Sequence, residues 1–169
     1  MKSLTKSELD SLLAVAGSHS AADRLMLLVA FNHGLRVSEV LTLSKDNIVD
    51  GSLIVSRLKG SKKTTQVMLD SERAALENLA ATVEGPFFPI CRMTAHRRIK
   101  AYAKEAGIPS FKASMHKLKH TCAVIGLKGN MTLPEVQTWL GHRSLASTGM
   151  YLLVDEDVAG RAFAAAVGR

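Results

Sequence analysis

Apolar residues in the first third of the chain recur at helical spacing. In SLTKSELDSLLAVA, Leu9, Leu12, Leu13 and Ala16 fall on one face. Thr5 and Glu8 stand at capping-box separation, with Leu4 and Leu9 placed for a hydrophobic staple. Residues 21–33 are apolar nearly all round, which predicts a helix buried in mid-domain, ended by Gly34. VSEVLTLS predicts a short helix with Val37, Val40 and Leu41 inward. From residue 47 the period changes. NIVDGSLIVSRLKGSKKTTQVML has β-branched runs broken by Asp-Gly and Gly-Ser-Lys-Lys, the pattern of a small antiparallel meander. Helical spacing returns with SERAALENLAATV, where Ser71 is the expected N-cap, then over 92–106, 114–127 and TLPEVQTWLG. In the last, Thr132 and Glu135 repeat the capping-box spacing and Pro134 lies in the first turn. A final helix is expected over roughly 155–167. The pattern predicts one mainly α domain with a small antiparallel β-sheet (α+β) and contains no internal repeat.

Composition narrows the partners more than the fold. Lys and Arg number 22 against 15 acidic residues, a net charge of +7, so a polyanion such as nucleic acid is the first partner to consider. Cys91 and Cys122 lack CxxC spacing, which suggests neither a zinc site nor a disulfide framework and fits reduced thiols. With no secretory h-region behind Met1 and no apolar run of membrane-spanning length, the expected compartment is the cytoplasm of a prokaryotic or phage-infected cell.

Four groups of polar residues resist a packing explanation. HGLRVSE sets Arg36 between Leu35 and Val37, where a guanidinium must be exposed or held by charge partners such as Glu39. RLKGSKKTT carries Lys59, Lys62 and Lys63 on a strand connection that also reads as a solvated turn. SMHKLKHTCA carries His116, Lys119 and His120 at helical spacing. A zinc site on His116 and His120 is disfavoured, because Lys117 stands where a helical zinc protease has Glu and no third ligand is evident. WLGHRSLASTGMY has His142 beyond a helix end and Tyr151 nine residues later. Each alone is open to a bland reading: a helix cap for His142, packing for Tyr151.

Together, GLRVSE, a β-hairpin lysine before Gly, H-x-L-K-H, LGH and the following tyrosine resemble the tyrosine recombinase (phage integrase) catalytic domain over nearly the whole chain. The resemblance implies that fold and site-specific cleavage and exchange of DNA strands. Tyr151 would attack the scissile phosphate, forming a 3′-phosphotyrosyl bond and freeing a 5′-hydroxyl, with no metal, ATP or other cofactor. Arg36 would clamp the non-bridging oxygens with a planar, permanently charged fork. Lys59 would protonate the leaving 5′-oxygen, and His116 and His142 would handle protons or hydrogen bonds beside the phosphate. Glu39 and His120 are support. Lys62, Lys63, Arg92, Arg97, Arg98, Lys100 and Arg143 are candidate DNA contacts, with a solvated helix face the alternative for the 92–100 stretch.

The chain departs from the family pattern twice. Lys119 stands where the family has its second arginine, keeping the charge and losing the bidentate fork. The pattern also begins almost at Met1, so the expectation is a single catalytic domain over 1–169 with the family's N-terminal core-binding domain absent. Weak, salt-sensitive binding to double-stranded DNA follows from a grip of phosphate contacts alone. The resemblance further implies self-association on DNA as a tetramer, through the C-terminal helix. Three alternatives stand beside it: a non-catalytic DNA-binding module, a type IB topoisomerase-like enzyme, and a metal-dependent nuclease, for which no acidic cluster accompanies the four groups.

Overall fold

The structure, a computed structural model, describes residues 3–57 and 63–142. Lys59, Lys62, Arg143, Tyr151 and the expected 155–167 helix lie outside the described residues. Helix α1 (Lys6–His19) opens on the expected reciprocal cap: Thr5 Oγ1 accepts from the Glu8 N–H at 3.1 Å, and Glu8 Oε2 accepts from the Thr5 N–H at 2.7 Å. Its buried face is Leu9, Leu12, Leu13 and Ala16. The Leu4 N–H donates to Thr121 Oγ1 at 3.0 Å, fastening the chain start to α6 (Met115–Lys128).

Helix α2 (Ala21–Asn32) buries six consecutive residues, Leu25 to Ala30, because it runs between α1 and α6. After it the chain reverses through Gly34 at φ +56°. No other residue fits there, since a Cβ would lie 2.3 Å from Leu140 Cδ2 as well as in the left-handed region. Helix α3 (Val37–Val40) is a single turn, shorter than the pattern suggested, with Val40 buried and Val37 and Leu41 partly so.

Three antiparallel strands follow in the order β1 (Ile48–Val49), β2 (Ser52–Val55), β3 (Thr64–Val67). Asp50 and Gly51, both at positive φ, form the tight β1–β2 turn that Asp-Gly announces. Leu53 and Val55 point into the core, which puts Arg57 on the same inward side.

Helix α4 (Asp70–Thr82) corrects the expected boundary: its N-cap is Leu69 rather than Ser71. Glu72 Oε1 accepts the Leu69 N–H at 3.1 Å, so the orphan donor is satisfied from inside the first turn and Ser71 is left exposed. Helix α5 (Arg92–Glu105) packs on α1. Helix α7 (Leu133–Leu140) carries the Thr132–Glu135 capping box and ends on left-handed Gly141, with the His142 N–H donating to Gln137 O at 3.0 Å. The main core gathers Leu12, Met26, Leu27, Leu35, Leu53 and Leu118, and a smaller cluster of Ala123, Leu127, Val136 and Leu140 seats α7 on α6.

Candidate active site

The turn after α2 delivers Arg36, and Glu39 fixes it from both ends. Glu39 Oε2 accepts the Arg36 backbone N–H at 2.8 Å and Oε1 accepts from the guanidinium at 2.8 Å. The Glu39 carboxylate is fully buried, whereas the Arg36 side chain keeps 34% of its surface open, enough for an arriving anion to touch it. Burial alone would raise the Glu39 carboxyl, but the Arg36 hydrogen bonds and the charges of Arg57 and Lys119 outweigh it and hold the group below its usual range.

Arg57 was not singled out in the sequence. Its side chain is wholly buried and ion-paired with Glu39 at 3.2 Å. The alternation Leu53, Val55, Arg57 was the available signal, an arginine where the strand demands an inward residue. His33 was also missed, because it closes an apolar helix. It is buried with Nδ1 on Gln66 Oε1 at 2.9 Å and Nε2 on Glu72 Oε1, and it stacks on Trp139.

Lys119 projects from α6 into the same cluster. It is 2% exposed, and its ammonium donates to Gly34 O at 2.6 Å and Leu140 O at 3.2 Å. Burial, then the charge of Arg57, brings its pKa down to about 7, with Glu39 pulling the other way. A lysine here is therefore half-charged near neutrality, where an arginine would stay charged. With Lys119 protonated, Arg36, Arg57 and Lys119 face one acid, Glu39, in this cluster, two positive charges in excess among the described residues.

Both histidines feel that excess. Burial, then Lys119, Arg36 and Arg57, bring the His142 imidazole down to about 4, so it is neutral at pH 7. His116 lies at the exposed side of α6 and is lowered by desolvation and then by Lys117, Lys119 and Arg36. His120 is buried one turn further along. The described part of the predicted set, Arg36, Glu39, His116, Lys119 and His142, is thus brought together by α3, α6 and the end of α7. Such a set presents hydrogen-bond donors and fixed positive potential to an anion and two imidazoles neutral enough to accept a proton.

The candidate DNA contacts divide. Lys63, Arg92, Arg97 and Lys100 are exposed. Arg98 is half-buried, and its guanidinium is ion-paired with buried Asp23 at 2.7 Å. Cys91 and Cys122 are both free. Among the described residues no helix is long and apolar enough to cross a membrane.

Residues 2–157 match the family described as the phage integrase family. The chain is 32% identical over 167 residues to the tyrosine recombinase XerA of Thermococcus kodakarensis, spanning 90% of this chain and 58% of that one. It is 30% identical over 165 residues to the type 1 fimbriae regulatory protein FimB of Escherichia coli K12, spanning 88% and 82%. The chain thus spans little more than half the length of the XerA-type relatives. Its fold matches the crystal structure of a XerA recombinase (TM-score 0.81, 23% identity, 96% of this chain and 64% of that one). It also matches a XerH site-specific recombinase bound to palindromic difH substrate in a post-cleavage complex (TM-score 0.75, 21% identity, 96% and 52%).

Proposed function

The chain belongs to the phage integrase family, and on that premise we propose that it is the catalytic domain of a site-specific DNA recombinase that cuts and rejoins strands through a phosphotyrosyl intermediate. The observation that carries the reading is the buried cation cluster around Glu39, open to solvent at Arg36 and flanked by two imidazoles. A phosphodiester placed there meets a guanidinium fork and a second cation, which lower the cost of the charge that builds on its non-bridging oxygens.

In this reading the Tyr151 hydroxyl attacks phosphorus, the P–O5′ bond breaks, and Lys59 gives its proton to the leaving 5′-oxygen. The tyrosine proton passes to a neutral imidazole, His116 or His142. Cleavage conserves one phosphodiester bond, and attack by a 5′-hydroxyl from a second duplex reverses it with exchange, so neither ATP nor a hydrolytic step is required. Lys119 adds charge only when protonated, and a phosphate close to its ammonium raises its pKa and recovers that charge. Double-stranded DNA with specific sites is the proposed substrate, as for the difH-bound XerH, with assembly of several copies on paired sites and action in the cytoplasm. Lys63, Arg92, Arg97 and Lys100 supply salt-sensitive phosphate contacts.

The test is a nicked suicide duplex carrying candidate sites. A covalent protein–DNA adduct that is present in the parent and absent in Tyr151→Phe is expected. Sequence-specific binding without any adduct, in the parent and in Lys119→Arg alike, would instead assign a DNA-binding module.

A further inference from the structure

Arg57 has five N–H donors, and all five are engaged inside the protein. Nε donates to Thr64 Oγ1 at 3.2 Å. One terminal nitrogen donates to Gly34 O at 3.0 Å and to Glu39 Oε2 at 3.2 Å. The other donates to His33 O at 3.0 Å and to Trp139 O at 2.9 Å. With its side chain fully buried and no donor left over, this guanidinium does not reach a DNA phosphate.

Its acceptors lie on three segments, the 33–39 turn, β3 and α7, and two of these carry residues of the proposed chemistry. Gly34 precedes Arg36 by two residues, and Glu39 is the carboxylate that holds Arg36. Trp139 precedes His142 by three. Arg57 itself precedes Lys59 by two, and its bond to Thr64 closes the base of the connection on which Lys59 lies. Gln66 reinforces the same join, donating to Trp139 O at 2.5 Å. Lys119 bridges in parallel, from Gly34 O to Leu140 O.

We infer that Arg57 is a positioning residue for strand cleavage: one buried guanidinium sets the distance between the segments bearing Arg36 and His142 and ties both to β3 at Thr64. The inference rests on the reading of the site given above. It matters for rate because a misplacement of about 1 Å among reacting groups costs roughly a hundredfold. A lysine at this position keeps the charge beside Glu39 but brings only three N–H donors to five acceptors.

The experiment is single-turnover cleavage of the suicide duplex by Arg57→Lys, with DNA affinity and melting temperature measured alongside. At saturating DNA, a rate about a hundredfold below the parent with a Kd within twofold is expected; a parental rate, or a loss confined to Kd, overturns the inference. Should Arg57→Lys melt below the assay temperature, Thr64→Val carries the test, since it removes one acceptor and no charge. Cleavage at least threefold slower supports the tether, and a parental rate overturns it. Should the parent itself form no adduct, the reading of the site has failed, and the tether is judged on the His142 imidazole signals by NMR. Displaced resonances in the variant support it, and superimposable ones overturn it.

Discussion

Two clusters in this molecule place a carboxylate with cations at a helix start, and they differ in charge balance. Around Asp23, at the first turn of α2, one carboxylate meets one guanidinium, Arg98, and one phenol, Tyr102. Burial, then the hydrogen bond to Asp23, pushes that phenol up to about 12, so it stays neutral and donates. The set is balanced and joins α5 to α2. Around Glu39 one carboxylate faces Arg36, Arg57 and Lys119. Crowding three cations at one acid is costly, since each must be desolvated against its neighbours. Among the described residues, the balanced set is a structural joint, and the excess of positive charge reaches solvent at Arg36, where an anion can approach.

That contrast breaks in four places, the substitutions and the anion taken from the largest effect down and pH last. Glu39→Ala should destabilise by about 3–5 kcal/mol in urea unfolding, because it leaves buried cations without their counter-charge. A loss below about 1 kcal/mol would mean that the acid does not hold the cluster. Asp23→Ala strips a charge-assisted bond and a phenol bond and should cost roughly 2–3 kcal/mol, yet leave any DNA cleavage per folded molecule at the parental rate. Inorganic sulfate or phosphate should stabilise the parent by about 1.4 kcal/mol at ten times its Kd, and lose that effect when Arg36 is changed to Ala. An unchanged anion response in Arg36→Ala would remove the distinction between the clusters.

The fourth break is in pH. Lys119, ordinarily near 10.5, sits at about 7 in the fold, so between these values the unfolded chain holds the proton that the native state releases. Its contribution to stability is unfavourable below pH 7 and is relieved as pH rises toward 10.5; Lys119→Met should flatten that rise in melting curves. For DNA binding the sign inverts. A phosphate favours the protonated lysine, so affinity should weaken by up to about tenfold per pH unit above 7, with proton uptake visible by calorimetry in buffers of different ionisation enthalpy. Lys119→Arg should erase both.

The elements that were legible in the sequence are those whose signals are local. Thr5 with Glu8, Thr132 with Glu135, and Asp50-Gly51 each satisfy backbone groups within a few residues, so spacing sufficed. Ser71 misled because Glu72 serves the same donor from a position that spacing alone does not rank. Arg36, His116, Lys119 and His142 were legible through their motif order. Arg57 and His33 were not, since their partners, Trp139 O and Glu72, lie 82 and 39 residues away. Alternation places Arg57 inward, but only the fold reveals five acceptors waiting there.

The Trp139 carbonyl also has a bearing on how the protein is made. Its bonds to Arg57 and Gln66 join residues 82 and 73 positions apart. During synthesis α1 to α6 leave the ribosome before α7 does, and contacts of such sequence separation form late because loop closure precedes their reward. Until α7 docks, the nascent chain carries Arg57 and Lys119 with carbonyl partners missing and Gly34 without Leu140 packed against it. Among the described residues the charged centre is consequently completed only when α7 docks, so a product truncated before α7 holds most of the helices without a complete anion site.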